Sequence, residues 1–338
     1  MTSVTIPNSV TSIGYSAFAG CISLTSINVS ENNLIYKSIN GNLYSKDGKT
    51  LIQYATGKTS TASDISNSVT SIGNSAFEYC SSLTSIELPD SVTSIGSSAF
   101  YRCDNLKTVT FSSNSQLESI GNYAFAFCSS LTRIEIPDSV TSIGDGAFEF
   151  CRALESVVIG NSLKSIGCRV FERCSLLTNI IIPDGVTSIG EYAFSGCSLL
   201  VGISIPNSVT SIGVNAFYGC SSLAYNIKEG LKYLGNSNNP YLYLADTVSE
   251  DIITAKIDSN CRFIGDSAFR LCFSFESIVV PNSVTSIGYG AFAYCHSIKI
   301  FCEAVEKPSG WDSDWNIGGR PVYWAGEWSI VDGVPTPN

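Results

Sequence analysis

The chain has 338 residues, of which 44% are hydrophobic and only 14% are charged, and its formal net charge is −10. This charge argues against a nucleic-acid partner held through phosphate contacts and against docking on an anionic membrane surface. No apolar run approaches the roughly 20 residues that a bilayer crossing requires, so we expect no membrane insertion in this fragment. Val4 and Ile6 already follow the repeat described below, and no signal peptide precedes them. We therefore expect a mature or trimmed chain that lacks its leader and its anchor.

The dipeptide Ala-Phe, once Val-Phe, recurs along the whole chain, and seven of the nine intervals are 23 residues or, once, 25. A Cys follows each Phe by three residues, and Ile-Gly stands five and four residues before it. Such self-similarity at a fixed period is typical of solenoids, whose stacked units bury an apolar face that one unit cannot bury alone. The repeated phenylalanines are Phe18, Phe77, Phe100, Phe125, Phe148, Phe171, Phe194, Phe217, Phe269 and Phe292.

The unit from Leu83 to Asn105 shows what one repeat predicts. The alternation over residues 86–88 indicates a β-strand, and Pro89 ends it. The segment SSAFYRC predicts a short helical turn with Phe100 pointing inward. Units stacked in parallel register place equivalent side chains in columns about 4.8 Å apart. The sequence therefore predicts a mainly β, right-handed repeat solenoid of about 11–12 coils with short helical turns.

The repeat LxxLxLPxxVxxIGxxAFxxC resembles the leucine-rich repeat of the Treponema type, found in BspA-like surface proteins of bacteria and some protozoan parasites. It differs from the commoner leucine-rich repeat in lacking Asn at the ninth position, where Ser91 stands. The resemblance covers nearly the whole chain. It implies a leucine-rich-repeat solenoid, an extracellular or cell-surface location, and adhesion to host matrix proteins, other bacteria or immune receptors.

Two longer intervals interrupt the repeat: Phe18 to Phe77 spans 59 residues and Phe217 to Phe269 spans 52. In the first, Asp47-Gly48 separates two β-prone runs and predicts a hairpin. The second contains a similar hairpin-like stretch. We predict a solenoid over 1–300 with insertions at about 30–65 and 226–254. Residues 301–338 are predicted to form a C-terminal cap and tail, because the end of a solenoid exposes apolar core.

The chain contains 13 cysteines, and ten of them lie at one repeat position where a small apolar side chain packs well. We therefore expect buried free thiols there and at Cys261, whereas Cys168 and Cys302 are predicted to face outward. The sequence has no CxxC pair. His296, the single histidine, follows Cys295 on a turn, where a solvated side chain is favoured over a catalytic dyad.

The segment WDSDW offers Asp312 and Asp314 as calcium ligands. The rest of an EF-hand loop is missing, so a polar cap loop is the favoured interpretation. The sequence has no GxxxxGK[ST] phosphate loop and no Cys/His zinc pattern. We therefore predict no catalytic residues, no metal site and no cofactor.

Binding is predicted on the concave strand face, where two side chains per coil point to solvent. Most are small and polar, but the middle coils combine charged residues with exposed β-branched ones, which can mark a protein contact. The alternative is that these residues only favour strands. The predicted patch comprises Glu87, Arg133, Glu135, Ser156, Val158, Asn179 and Ile181.

A second candidate surface follows the turns, where aromatic residues stand close to the repeated Phe. Aromatic side chains are good interface anchors. Stacking along the edge of the solenoid is nevertheless the favoured interpretation, because aromatic ladders stabilise repeats. These residues are Tyr79, Tyr101, Tyr123, Phe127, Phe150, Tyr192, Tyr218 and Tyr294.

The leading hypothesis from the sequence is a non-enzymatic, monomeric cell-surface module that binds a protein of a host or of other cells. The alternative is a structural spacer that presents another domain away from the cell surface. An enzyme ranks third, because a catalytic base and metal ligands are missing from the sequence patterns.

Overall fold

Residues 1–58 and 65–338 are described by the computed structural model, in which short strands build a β-solenoid of about 14 turns with a period of about 23 residues. The predicted solenoid is confirmed, but it has more turns than the 11–12 expected from the sequence. The inserted segments and the C-terminal segment add strands to the repeat ladders, for example through the pairs Leu51–Ile72 and Ile300–Val322. Two compact units result, residues 1–202 with 216–223 and residues 203–215 with 224–338.

The first unit contains strands of two to four residues. They are β1 (Ser3–Ile6), β2 (Ser26–Val29), β3 (Tyr36–Ile39), β4 (Asn42–Ser45), β5 (Thr50–Gln53), β6 (Ser71–Ile72), β7 (Ser85–Leu88), β8 (Ser94–Ile95), β9 (Thr108–Phe111), β10 (Ser119–Ile120), β11 (Arg133–Glu135), β12 (Ser142–Ile143), β13 (Ser156–Val158), β14 (Ser165–Ile166), β15 (Asn179–Ile181) and β16 (Ser188–Ile189). Strand β17 (Gly202–Ser204) starts at Gly202, the last residue of the segment 1–202.

The second unit contains the remaining strands. They are β18 (Ser211–Ile212), β19 (Asn226–Lys228), β20 (Leu231–Leu234), β21 (Tyr243–Thr247), β22 (Thr254–Lys256), β23 (Phe263–Ile264), β24 (Ser277–Val280), β25 (Ser286–Ile287), β26 (Lys299–Cys302), β27 (Val322–Tyr323), β28 (Trp328–Val331) and β29 (Val334–Pro337).

Two parallel ladders build the first unit. The longer strands β7, β9, β11, β13 and β15 form one sheet, and the two-residue strands β6, β8, β10 and β12 continue a second. The registers join residues one repeat apart, as in Ile134–Val157 and Ile72–Ile95. Identical repeat positions therefore lie side by side, which is why the sequence period becomes a set of columns.

The first insertion extends the second ladder. Strands β3, β4 and β5 pair antiparallel, with the turn at Asp47-Gly48 between β4 and β5, and β5 then pairs in parallel with β6. The hairpin predicted at Asp47-Gly48 is thus present. Tyr54, which follows β5, is fully buried and stacks on Phe77 with ring centroids 4.8 Å apart. Phe18 is only half-buried, so Tyr54 begins the column instead.

The phenylalanine column forms the core of the first unit. From Phe77 to Phe194 every ring is fully buried and stacks on the next with centroids 4.7–5.6 Å apart. The inward orientation predicted for Phe100 and its equivalents in this column is confirmed.

The predicted helical turn is wrong, because the described residues contain no helix. Two residues per turn, two before and two after the repeated Phe, adopt left-handed backbone; Ser98 has φ 56° and Arg102 φ 55°. Their amides donate to the following coil, at Asn122 O and Ala126 O over 2.8 and 2.9 Å. The left-handed residues turn these amides toward the neighbouring coil, which excludes the i→i−4 bonding of a helix.

The second unit repeats the same design. Strands β19, β20 and β21 pair antiparallel, and β21 pairs in parallel with β23, through Leu244–Ile264 among others. Strands β22, β24, β26 and β27 form a parallel ladder. Phe269 and Phe292 stack 5.0 Å apart, and Trp315 packs edge-on against Phe292 at 5.7 Å. Strands β28 and β29 form a separate hairpin.

Candidate binding surface

The predicted patch lies on the solvent side of the longer strands in the first unit. Parallel register places Arg133 beside Ser156, Ser156 beside Asn179, and Glu135 beside Val158. Ser156 is half-buried, whereas the other six predicted side chains are exposed. The structure thus brings six of the seven predicted residues onto the three neighbouring strands β11, β13 and β15.

A groove of about 900 Å³ opens along this face. Four of the predicted residues line it, namely Glu135, Val158, Asn179 and Ile181. Glu87 lines a separate cavity of about 520 Å³ together with Asp90. We call the larger one the strand-edge groove; its other lining residues, which the sequence patch did not include, are Phe111, Ser112, Ser113, Ser115, Ile136, Pro137, Asp138, Ser139, Val157, Ile159, Gly160, Asn161, Ile180 and Pro183.

The groove has a local cause in the sequence. The interval between Phe100 and Phe125 is 25 residues, and the longer turn after β9 supplies the serines of one wall. Two coils further on, Gly160 takes the place of the proline found at Pro137 and Pro183. A side chain on Gly160 would meet Pro137 O at 2.4 Å, so only glycine allows this close approach of the backbones. The 25-residue interval and the missing proline were the signals that could have located the groove.

The floor of the strand-edge groove carries an apolar strip. Val158 is 48% exposed and Ile181 75% exposed, although both are large aliphatic residues. Their strand neighbours Val157 and Ile180 face inward and are buried. Exposed aliphatic side chains that share one concavity are a feature of binding grooves.

The charged groups near the groove have defined partners. Arg133 and Glu135 form an exposed ion pair, which compensates both charges and is worth at most about 1 kcal/mol. The Asp138 carboxylate accepts a hydrogen bond from the Asn161 amide over 2.8 Å, and that of Asp90 accepts one from the Ser112 hydroxyl. Acidic residues line both cavities, and no Lys, Arg or His is among their described lining residues.

The aromatic residues of the turns stack in the first unit. Ring centroids are 5.9 Å apart for Tyr79–Tyr101, 5.5 Å for Tyr101–Phe127 and 4.6 Å for Phe127–Phe150. The Arg102 guanidinium lies 4.9 Å from the Phe127 centroid. These four aromatic residues form what we call the outer column, and their faces are largely used within the molecule. Tyr218, by contrast, is 70% exposed.

The repeated cysteines form a third column. From Cys103 to Cys220, each Sγ donates to the carbonyl of the Phe one coil earlier, over 3.1–3.3 Å. Burial raises the pKa of Cys151 to about 12, so this thiol stays protonated and is a poor nucleophile. Cys261 is buried as predicted and Cys168 is partly exposed. The outward orientation predicted for Cys302 is wrong: its strand β26 pairs on both sides, and the side chain is fully buried.

The other chemically suggestive residues remain isolated. His296 is exposed and stacks on Phe273 with centroids 5.9 Å apart. The Asp312 carboxylate accepts the Asp314 amide over 2.7 Å, as in an ordinary polar turn. Among the residues that the structure describes, no group of three or more His, Cys, Asp and Glu side chains could hold a metal ion. Nor does any helix in that part of the chain have the length and apolarity to cross a membrane.

Comparisons with known proteins agree with this architecture. The family model "BspA type Leucine rich repeat region (6 copies)" matches residues 1–50, 53–178 and 164–299. A leucine-rich repeat protein of Bacteroides ovatus is 26% identical with a TM-score of 0.51, over 96% of this chain and 84% of its own. The search of curated proteins found no match.

Two further solved structures of leucine-rich repeat proteins match this chain. One, the leucine-rich repeat protein of T. pallidum, is 33% identical over 54% of this chain and 86% of its own, with a TM-score of 0.47. Another, from Eubacterium ventriosum, is 25% identical with a TM-score of 0.49; the match covers 68% of this chain and spans only 62% of that protein. The family model covers well over half of the sequence. The chain therefore belongs to the BspA-type leucine-rich repeat family.

Proposed function

We propose that this protein is a non-enzymatic, extracellular or cell-surface module that binds a protein of a host or of other cells through its strand face. Leucine-rich repeat domains typically bind proteins. The observation that carries the proposal is the strand-edge groove, where the aliphatic side chains of Val158 and Ile181 stay exposed. Aliphatic side chains held open on a rigid ladder gain from burial when a partner covers them.

The test measures attachment of the full chain to immobilised matrix proteins and to whole cells. The double variant Val158→Glu/Ile181→Glu places charges in the groove without touching the core. A matched control, Leu176→Glu/Leu199→Glu, changes two residues that are 39% and 46% exposed outside the groove. We expect attachment to fall at least tenfold for the groove variant and to stay unchanged for the control. Equal attachment by both variants would contradict a binding role for the strand face.

A structural spacer is the second candidate function. It is supported by the strand face outside the groove, where Ser85, Thr108 and Thr110 offer only small polar side chains. Changing Arg133, Glu135, Val158 and Ile181 together separates the two functions. A spacer keeps cell attachment after these changes, whereas a binding module loses it.

A further inference from the structure

We propose that the strand-edge groove takes an extended segment of a partner protein in which Lys or Arg residues flank an aliphatic residue. This inference rests on the proposed function and adds the chemistry of the partner. It follows from three features of the first unit, namely the sign of the charges beside the groove, the position of the apolar strip, and the direction in which the groove crosses the coils.

The charges favour a cationic segment. Asp138 lines the groove, Glu87 and Asp90 line the separate cavity, and Asp90 accepts a hydrogen bond from Ser112 of the groove. The Glu135 charge is compensated by Arg133. Asp90 and Asp138 occupy equivalent turns two coils apart, so their carboxylates are separated by roughly 10 Å along the stack. The bonds from Ser112 and the Asn161 amide fix the orientation of the two carboxylates but leave each with acceptor capacity. An ammonium or guanidinium group can therefore bind without displacing an internal contact.

The apolar strip fixes where the aliphatic residue sits. Val158 and Ile181 lie one and two coils beyond Asp138, which places them about 5 and 10 Å further along the stack. Along the stack of coils, the acidic part of the surface thus comes first and the apolar part follows it. A partner segment matches this order when a basic residue and an aliphatic residue are separated by a few positions.

The direction across the coils favours an extended partner. The lining of the groove runs over three coil steps, from the Ser112 coil to the Ile181 coil, and Asp90, bonded to Ser112, lies one step before it. The path from Asp90 to Ile181 therefore crosses four coil steps, or roughly 19 Å. An extended chain advances about 3.3 Å per residue, so about six residues span this path. A helix would need about 13 residues for the same distance and is about 10 Å wide.

Selection from a random library tests the proposal without a known partner. The 338-residue protein would be used to select phage-displayed octapeptides, with counter-selection on the uncharged Val158→Ser/Ile181→Ser variant to keep only groove-dependent clones. We expect these clones to contain at least twice as many Lys and Arg as Asp and Glu residues, with Val, Ile or Leu two to four positions away. Groove-dependent clones without this charge bias, or with an acidic bias, would overturn the inference while leaving the proposed function intact.

Direct affinities provide the second measurement. Binding of the most enriched peptide, synthesised with a fluorescent label, would be measured by anisotropy at 50 and 500 mM NaCl. The Asp90→Asn/Asp138→Asn variant keeps the hydrogen-bond acceptors and should bind about tenfold more weakly at low salt, with a smaller difference at high salt. Glu118→Gln changes an exposed residue just before β10; it controls for loss of one negative charge and should bind normally.

The outcomes of the selection and of the attachment test are separable. If no groove-dependent clone is recovered and attachment to cells is also unaffected by the groove variant, both the inference and the proposed function fail. If attachment depends on the groove but the Asp90→Asn/Asp138→Asn variant binds like wild type, only the charge-based assignment fails. Thermal melts of all variants should match wild type, because every changed residue is exposed.

Discussion

The inner phenylalanine column and the outer column run through the same coils of the first unit, yet they differ in what they require of the sequence. Inner rings are fully buried from Phe77 to Phe194, and the position is Phe in each of these coils. The equivalent outer position, two residues later, changes from Tyr79 to Arg102 and to Gly196. Full burial thus restricts the inner position to Phe, whereas the half-exposed outer position tolerates several residue types. Repetition of an aromatic residue is therefore weak evidence for a binding surface here.

The largest effect is expected in the inner column. Phe148 is fully buried between Phe125 and Phe171, with centroids 5.4 and 5.6 Å away. Phe148→Ala should lower the free energy of unfolding by about 3–5 kcal/mol, because it opens a cavity that the neighbouring coils cannot close. Glu149→Ala, one residue on, serves as the control and should change it by less than about 1 kcal/mol. Equal losses in urea titration would mean that the inward and outward faces are misassigned.

The outer column should respond differently to Ala and to Gly. Phe150 stacks on Phe127, two guanidinium groups lie 5.4–5.5 Å from its ring centroid, and its own φ is +58°. Phe150→Ala loses the stacking and keeps the left-handed strain, at a cost of about 2 kcal/mol. Phe150→Gly relieves strain worth about 1 kcal/mol and should be the milder change.

The same pair of substitutions in the inner column provides the contrast. Phe148 has no positive φ, so Phe148→Gly should be at least as damaging as Phe148→Ala. Urea midpoints of the four variants give the comparison directly. If Ala is milder than Gly in both columns, the left-handed turn is not what distinguishes them.

The columns were predictable because a 23-residue period in parallel register places identical residues together, and alternation along Ile86-Glu87-Leu88 already separates inside from outside. The left-handed turns were missed because Ser98 and Arg102 carry no conformational signal by themselves. Glycines at the same two positions in other coils, such as Gly146 and Gly196, did carry it. The groove depends on differences between coils, and averaging the repeat into a consensus removes them.

A substitution in the column of repeated cysteines should lower the free energy of unfolding less than one in either aromatic column. Cys151 Sγ donates to Phe125 O over 3.1 Å, but the same carbonyl also accepts the Cys128 amide over 3.1 Å. Cys151→Ala therefore leaves the carbonyl satisfied and should cost only about 1 kcal/mol for the small cavity.

The reactivity of the thiols in the wild-type protein tests whether the repeated cysteines are buried. At pH 8, the reagent DTNB should react with Cys21 and Cys168, the two partly exposed cysteines, and with all 13 after unfolding. Rapid reaction of four or more thiols in the native state would contradict a closed column.

The smallest effect concerns a carboxylate beside the outer column. Burial, together with the nearby Glu172 charge, raises the pKa of Glu149, and Arg169 only partly offsets this. Because the folded state then binds the proton more tightly than the unfolded state, stability is lost as the pH rises from the unfolded pKa through the raised folded one. Glu149→Gln should therefore stabilise the protein at pH 7, by less than about 1 kcal/mol after screening, and the gain should vanish near pH 3.5.

Melting temperatures of Glu149→Gln and wild type at the two pH values provide the measurement, with Glu118→Gln as the control for lost negative charge. A gain of the same size at pH 3.5 would show that the charge of Glu149 is not its cause. The half-buried Glu149 carboxylate thus destabilises the protein only slightly. A charge among the phenylalanine rings of the inner column would destabilise it far more, because it would have no solvent and no partner there.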